Sequence, residues 1–224
     1  MRIGNEFLDI YSTTKVISNG FISNISGENV PYVLELGLNK SSILECNSWN
    51  DFTTNVIMSY IMEDAPINDS RIILQENIML EDKHWNWIWK ASHYNSSEYN
   101  WFFLKTQEGV QGVCITFHPK ESKLQKVDIF YIEFISSAPW NRKSTLHDQQ
   151  YKGIGTEIIK QVQYYFINNL NYCHGFSLLS LPQARKFYEK IGMINISKYD
   201  EDKRLFFYEM SKENAILFLE GKNV

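Results

Sequence analysis

The sequence predicts an α/β domain in which a mixed central sheet is flanked by helices, and three observations in its second half predict it. A run rich in β-branched and aromatic residues at 127–135 reads as a strand. It is followed by Gln150-Tyr151-Lys152-Gly153-Ile154-Gly155-Thr156, with two glycines one residue apart, and then by Ile158, Val162, Tyr165, Phe166 and Leu170 at helical spacing. A further apolar run at 175–180 and a short amphipathic stretch at 182–192 repeat the order of strand and then helix. Strands alternating with helices bury their apolar faces by placing the helices against a sheet.

In chain order, 21–25 reads as a strand, and Glu28-Asn29-Val30-Pro31 as a helix start ahead of Val33, Leu34 and Leu36. A helix is expected over 54–62, a turn at 66–70, a strand at 72–74 and a helix over 81–93. The runs 99–105 and 110–117 form a hairpin around Glu108-Gly109. Pro182 suits a first helical turn and Gly192 a left-handed helix cap. Two runs, 193–198 and 205–210, flank a charged turn, and Ser211 caps a closing helix that carries Ala215, Ile216 and Leu219. The expected organisation is one domain over 1–224, elaborated in its front half (about 1–95) and with a core over about 99–210; a separate N-terminal module is the alternative.

The 224 residues are 44% hydrophobic, enough to fill a core. Lys and Arg number 22 against 26 Asp and Glu, a formal charge of −4, and no basic run interleaved with aromatics occurs. That balance argues against nucleic acid as a partner. Cys46, Cys114 and Cys173 are odd in number and far apart, which suits a reduced, cytoplasmic setting. No apolar stretch has the length of a signal peptide or a membrane span, so no membrane partner is expected. The five histidines lack ligand spacing, and no metal is assigned. Neither a Gly-x-Ser-x-Gly elbow nor a recognisable cysteine nucleophile is present, which argues against a covalent acyl-enzyme.

Two glycines at a strand-to-helix turn let several backbone N–H groups converge on an oxyanion at a helix start, and a phosphate is the expected guest. Ile158 stands where a dinucleotide fingerprint needs its third glycine, and no Gly-Lys-Ser/Thr follows. Gln150, Gly153 and Gly155 instead resemble motif A of the GNAT superfamily of acyl-CoA N-acyltransferases. Ala184, Tyr188 and Gly192 resemble the same family's motif B, and the resemblance is strongest over 126–210. It implies a splayed sheet that binds acetyl-CoA and passes the acetyl group directly to a primary amine of a small molecule or a protein. It also allows a homodimer. The alternatives are an acyl-CoA-binding regulatory module without turnover and a toxin-type acetyltransferase of aminoacyl-tRNA.

Carried over residue by residue, the resemblance gives Gln150, Tyr151, Lys152, Gly153, Ile154, Gly155 and Thr156 to the pyrophosphate. Ser137 falls at a strand bulge whose open backbone would hold the acyl carbonyl and the pantetheine amides. Glu133 takes the place of the general base, with Asp128 as its rival, and Tyr188 that of the general acid. Two departures stand out. Leu181 occupies the place of an Asn that helps hold the pantetheine arm, and residues 140–149 insert a loop between Pro139 and Gln150. Trp85, Trp87 and Trp89 read either as an aromatic wall for an amine or as core packing.

Overall fold

The computed structural model describes residues 14–62, 82, 84–144, 146–196 and 205–222. Its strands are β1 (Lys15–Asn24), β2 (Asn29–Leu36), β3 (Tyr99–Thr106), β4 (Gly109–Glu121), β5 (Asp128–Ser137), β6 (Tyr151–Lys152), β7 (Phe176–Ser180), β8 (Ile194–Asn195) and β9 (Phe206–Glu209). They form an open mixed sheet in the order β6-β1-β2-β3-β4-β5-β7-β9-β8. The helices are α1 (Lys40–Asn47), α2 (Trp49–Met62), α3 (Trp87–His93), α4 (Ile154–Leu170), α5 (Arg185–Lys190) and α6 (Lys212–Leu219). None of the described helices is long and apolar enough to cross a membrane. Two compact units divide the chain. One gathers residues up to Asn95 with Phe102–Val113 and Ser136–Gly155; the other gathers Ser96–Trp101, Cys114–Ile135 and the residues from Thr156 on.

In the first unit, β1 and β2 are an antiparallel hairpin whose turn is closed by Asn24, which donates to Glu28 Oε2 at 2.7 Å and accepts from the Glu28 N–H at 2.9 Å. The helix expected from 28 onward is therefore a strand. Alternation wins over the proline signal, because Tyr32 and Leu34 point inward two residues apart. Pro31 lies outside the register with β3, which runs from Val33↔Lys105 to Leu36↔Phe102, so its missing N–H costs no bond on that side. Helix α1 was not anticipated; Asn39 caps it by accepting from Ser41 N at 2.9 Å and Ser42 N at 3.2 Å. Helix α2 starts at Trp49, earlier than expected, and α3 starts only at Trp87, where Asn86 accepts from the Trp89 N–H at 2.8 Å. The turn and strand expected at 66–70 and 72–74 lie outside the described residues.

In the second unit, β5 and β7 run parallel, and β9 is antiparallel to both β7 and β8. Phe166 of α4 stacks on Phe130 at 4.2 Å, and Phe130 stacks on Phe176 at 5.4 Å. The buried residues of α4 are Ile154, Ile158, Ile159, Val162, Gln163 and Phe166, while Tyr165 and Leu170 are only half-buried. Gly175 has φ 112°, and a Cβ there would stand 2.5 Å from the Met210 carbonyl oxygen, so the entry to β7 admits no side chain. Glu209 is fully buried and its charge is met by the Ser122 hydroxyl and by the N–H groups of Lys123 and Leu124, each at 3.0 Å. Ser211 caps α6, accepting from Asn214 N at 3.2 Å.

Candidate active site

The glycine turn opens the 17-residue helix α4. Gly153 takes φ 76°, a left-handed conformation, and a Cβ added there would meet nothing within 4 Å, so glycine is required by the backbone and not by crowding. The N–H groups of Gly153, Ile154, Gly155 and Thr156 donate to no other described residue. These are the orphan donors of a helix N-terminus, where the aligned peptide dipoles also favour negative charge. Four adjacent donors without an acceptor among the described residues, with the exposed ammonium of Lys152 beside them, fit a phosphate.

The entry to this turn is held on several sides. β6 pairs with the end of β1 through Asn24↔Tyr151 and Ser23↔Lys152, and Ile25 N donates to the Gln150 carbonyl at 3.1 Å. The inserted loop supplies a second side. It opens with a 3₁₀ turn, Pro139–Asn141, and the buried Asn141 accepts from the Tyr151 N–H at 3.0 Å. Asn141 donates to the side-chain oxygen of Gln111 at 2.9 Å and to its carbonyl at 3.2 Å. Gln111 is itself fully buried, and its oxygen also accepts from Trp140 Nε1 at 2.8 Å. A third side is the β3–β4 turn, where Glu108 Oε2 accepts from the Gln150 amide and, at 2.7 Å, from the Tyr151 hydroxyl. Gln150 and Tyr151 thus spend their side chains on Glu108.

The loop also closes over the end of β5. Arg142 forms a two-pronged ion pair with Asp82, both N–O distances being 2.6 Å. Its remaining donors reach Ser136 Oγ at 2.9 Å and the Ser137 carbonyl at 2.9 and 3.1 Å. The Ser137 carbonyl, expected to be open, is therefore filled by Arg142. A cavity beside this pair is lined in part by Trp49, Asn50, Thr53 and Trp87.

In the second unit, the parallel register of β5 with β7 covers Phe130↔Phe176, Tyr131↔Ser177 and Ile132↔Leu178. Beyond it, Leu179 and Ser180 pair only with β9, through Phe207 and Phe206. Glu133 is thus the first β5 residue past the pairing, and the strands part there, four residues earlier than the expected Ser137. Glu133 is half-buried, and its charge, after desolvation, helps push up the phenol of Tyr99. Asp128, the rival base, is exposed at the start of β5 and acts in the same way on Tyr172.

Tyr188 is buried on α5, with Phe187 at 5.2 Å and Tyr208 at 6.2 Å between ring centroids. Burial, and then the neighbouring Cys114 and Tyr131, push its phenol far above the usual tyrosine range, so it keeps its proton at any working pH. Leu181 precedes the short 3₁₀ turn that leads into α5, and its carbonyl accepts from Ser180 Oγ at 2.8 Å and Ala184 N at 3.1 Å. Of the three tryptophans, Trp87 is buried, and Lys90 Nζ lies 4.5 Å from the Trp85 ring centroid; only Trp89 is exposed, and it stacks on His93. Among the described residues, no group of His, Cys, Asp and Glu has the arrangement of a metal site.

Residues 131–214 match the family model described as acetyltransferase (GNAT) domain. No curated protein matches the sequence. Among solved structures, an uncharacterized protein from Bacillus halodurans aligns at TM-score 0.51 and 9% identity over 93% of this chain and 100% of its own. A protein assigned to the GNAT family of acetyltransferases from Desulfovibrio desulfuricans aligns at TM-score 0.50 and 10% identity, over 81% and 99% of the two chains. A chimera of spermidine N-acetyltransferase from Vibrio cholerae and hSSAT aligns at TM-score 0.48 and 14% identity, over 82% and 98%.

Proposed function

We propose, from the match of residues 131–214 to the acetyltransferase (GNAT) domain model, that this chain is an N-acyltransferase that moves an acetyl group from acetyl-CoA to a primary amine of a small molecule or a protein. The observation that supports this reading most is the row of N–H donors from Gly153 to Thr156 at the head of α4, from which no described residue accepts. Such a row binds the pyrophosphate of a nucleotide-bearing donor without any charged side chain.

Acetyl-CoA brings an activated acyl group as a thioester. The protein's part starts with the acceptor, since an ammonium has no lone pair for attack. Glu133, at the point where β5 leaves its parallel partner, takes that proton directly or through a water. Past Ile132 the β5–β7 register ends, with Leu179 and Ser180 pairing to β9, and an arm laid along that parting would be oriented as an added strand is. Tyr188 stays protonated because it is buried, and it supplies the hydrogen bond or proton that the departing sulfur needs. The three cysteines are free thiols, in keeping with a cytoplasmic setting.

Thiol release from acetyl-CoA, followed with a disulfide dye across a panel of polyamines, amino sugars and lysine peptides, tests the reading. Release that depends on one class of amine is the expected result. Tight acetyl-CoA binding with no release for any amine would instead make the chain a binding module.

A further inference from the structure

We infer that Glu108, on the turn between β3 and β4, is a positioning residue for the anion turn: its carboxylate clamps Gln150 and Tyr151 so that the N–H groups that follow stay converged. The inference rests on the acyl-CoA reading for its ligand, though not for the clamp itself. The turn that carries Glu108 is unusually well fixed. Glu108 N donates to Thr106 Oγ1 at 3.2 Å, and the buried Gln111 amide donates to the same hydroxyl at 3.1 Å and to the Gly109 carbonyl at 3.3 Å. From α1, Glu45 Oε1 accepts from the Val110 N–H at 2.6 Å, and its carboxylate fills the space where a Cβ on Gly109 would stand. Gly109 has φ 103°, so the turn depends on glycine twice over.

From this fixed point, one carboxylate oxygen receives both the Gln150 amide and the Tyr151 hydroxyl, the latter at 2.7 Å. Glu108, exposed at the surface, is 42 and 43 residues away from these partners in sequence. Nothing local requires a carboxylate there. A negative charge beside an anion site has two opposed effects. As a clamp it makes two charge-assisted hydrogen bonds that order the turn before the ligand arrives, and such ordering raises affinity. As a charge it repels the ligand, but an exposed charge is screened over about 8 Å at physiological salt. The clamp is therefore the larger effect, and Glu108 raises affinity for a phosphate-bearing ligand despite its sign.

The test uses the full chain, with CoA itself titrated by calorimetry into wild type, Glu108→Ala, Glu108→Gln and Tyr151→Phe. Glu108→Ala is expected to raise the CoA Kd, and the KM for acetyl-CoA, by about tenfold while leaving kcat at saturation unchanged, since a charge-assisted bond is lost. Glu108→Gln keeps an acceptor oxygen and should recover most of the affinity. Tyr151→Phe added to Glu108→Ala should cost nothing more. Amide exchange over 150–157 in the free protein is expected to quicken by about tenfold in Glu108→Ala and not in Glu108→Gln, which reads the clamp without a ligand. Unchanged or tighter CoA binding by Glu108→Ala, together with unchanged exchange, would overturn the inference. A wild-type protein that does not bind CoA but shows the exchange effect would keep the clamp and sink the acyl-CoA reading.

Discussion

The backbone N–H of Tyr151 donates to the side-chain oxygen of Asn141 at 3.0 Å, and the same Asn141 amide donates to the buried Gln111 at 2.9 Å. One side chain thus ties the inserted loop, β4 and the strand that enters the anion turn. Asn141→Ala would leave the Tyr151 N–H without an acceptor and the Gln111 oxygen short of a donor, both away from water. A loss of about 1–3 kcal/mol in stability is expected for the unsatisfied Tyr151 N–H, since the Gln111 oxygen keeps Trp140 Nε1 as a donor. Urea unfolding checks it, and a midpoint shift with unchanged slope is the expected form.

The two glycines of the turn should respond differently. Gly153 is held at φ 76° with open space around it, so Gly153→Ala pays only backbone strain, about 1–2 kcal/mol, and should still fold and bind CoA. Gly155 sits inside this row of donors, where a branched side chain would hinder the close approach of a phosphate to the N–H groups. Folded Gly155→Val should give no calorimetric signal with CoA; unchanged binding would remove the anion turn from the site.

Glu133→Gln should lower turnover by about 10²-fold near neutral pH with acetyl-CoA affinity intact, the scale of a lost general base. Activity should partly return as pH rises toward about 10, where a primary amine deprotonates on its own. Full activity at pH 7 would pass the role to Asp128 or to solvent.

Tyr188→Phe removes one oxygen from a packed ring, so the fold should hold while the chemical step slows by about tenfold or more. Because burial raises the phenol far above the ordinary tyrosine value of about 10, wild-type kcat should show no fall from loss of this proton up to pH 9. Single-turnover rates from pH 7 to 9 check both statements, and a Tyr188→Phe rate equal to wild type would reduce the residue to packing.

His118 accepts from Asn100 Nδ2 at 3.1 Å, lies 3.1 Å from the Tyr172 hydroxyl, and packs edge-on to Phe166. Burial lowers its pKa, with Glu98 pulling the other way. The folded state therefore disfavours the proton. Its contribution to stability is complete above the unfolded histidine value of about 6.5 and is lost as pH falls through the lower folded value. Melting temperature should drop as pH falls from about 6.5 to the lower folded value, and His118→Phe, which keeps a ring against Phe166, should flatten that drop.

What the sequence determined by itself was whatever a few neighbouring residues could specify. The Glu108-Gly109 hairpin, the strand-to-helix turn at Gly153, the order from β5 to α5 and the Ser211 cap all rest on turn residues, periodicity or capping, which act within a turn or two of the chain. Local signals failed where a distant partner held the deciding contacts. Residues 29–36 carry a proline helix signal yet form a strand, because β1 and β3 take their backbone groups and the core takes Tyr32 and Leu34. Ser137 read as open, yet an arginine in the inserted loop fills its carbonyl while pairing with Asp82, sixty residues away from it. The anion turn itself was legible as Gly-x-Gly, but its support was not. Asn141, Gln111 and Glu108 reach it across 10 to 43 residues, and such partners have no local pattern to announce them. Turn chemistry is a property of adjacent dihedrals and can be read in one dimension. Satisfying buried polar groups is a property of three-dimensional neighbours, and only the folded chain decides it.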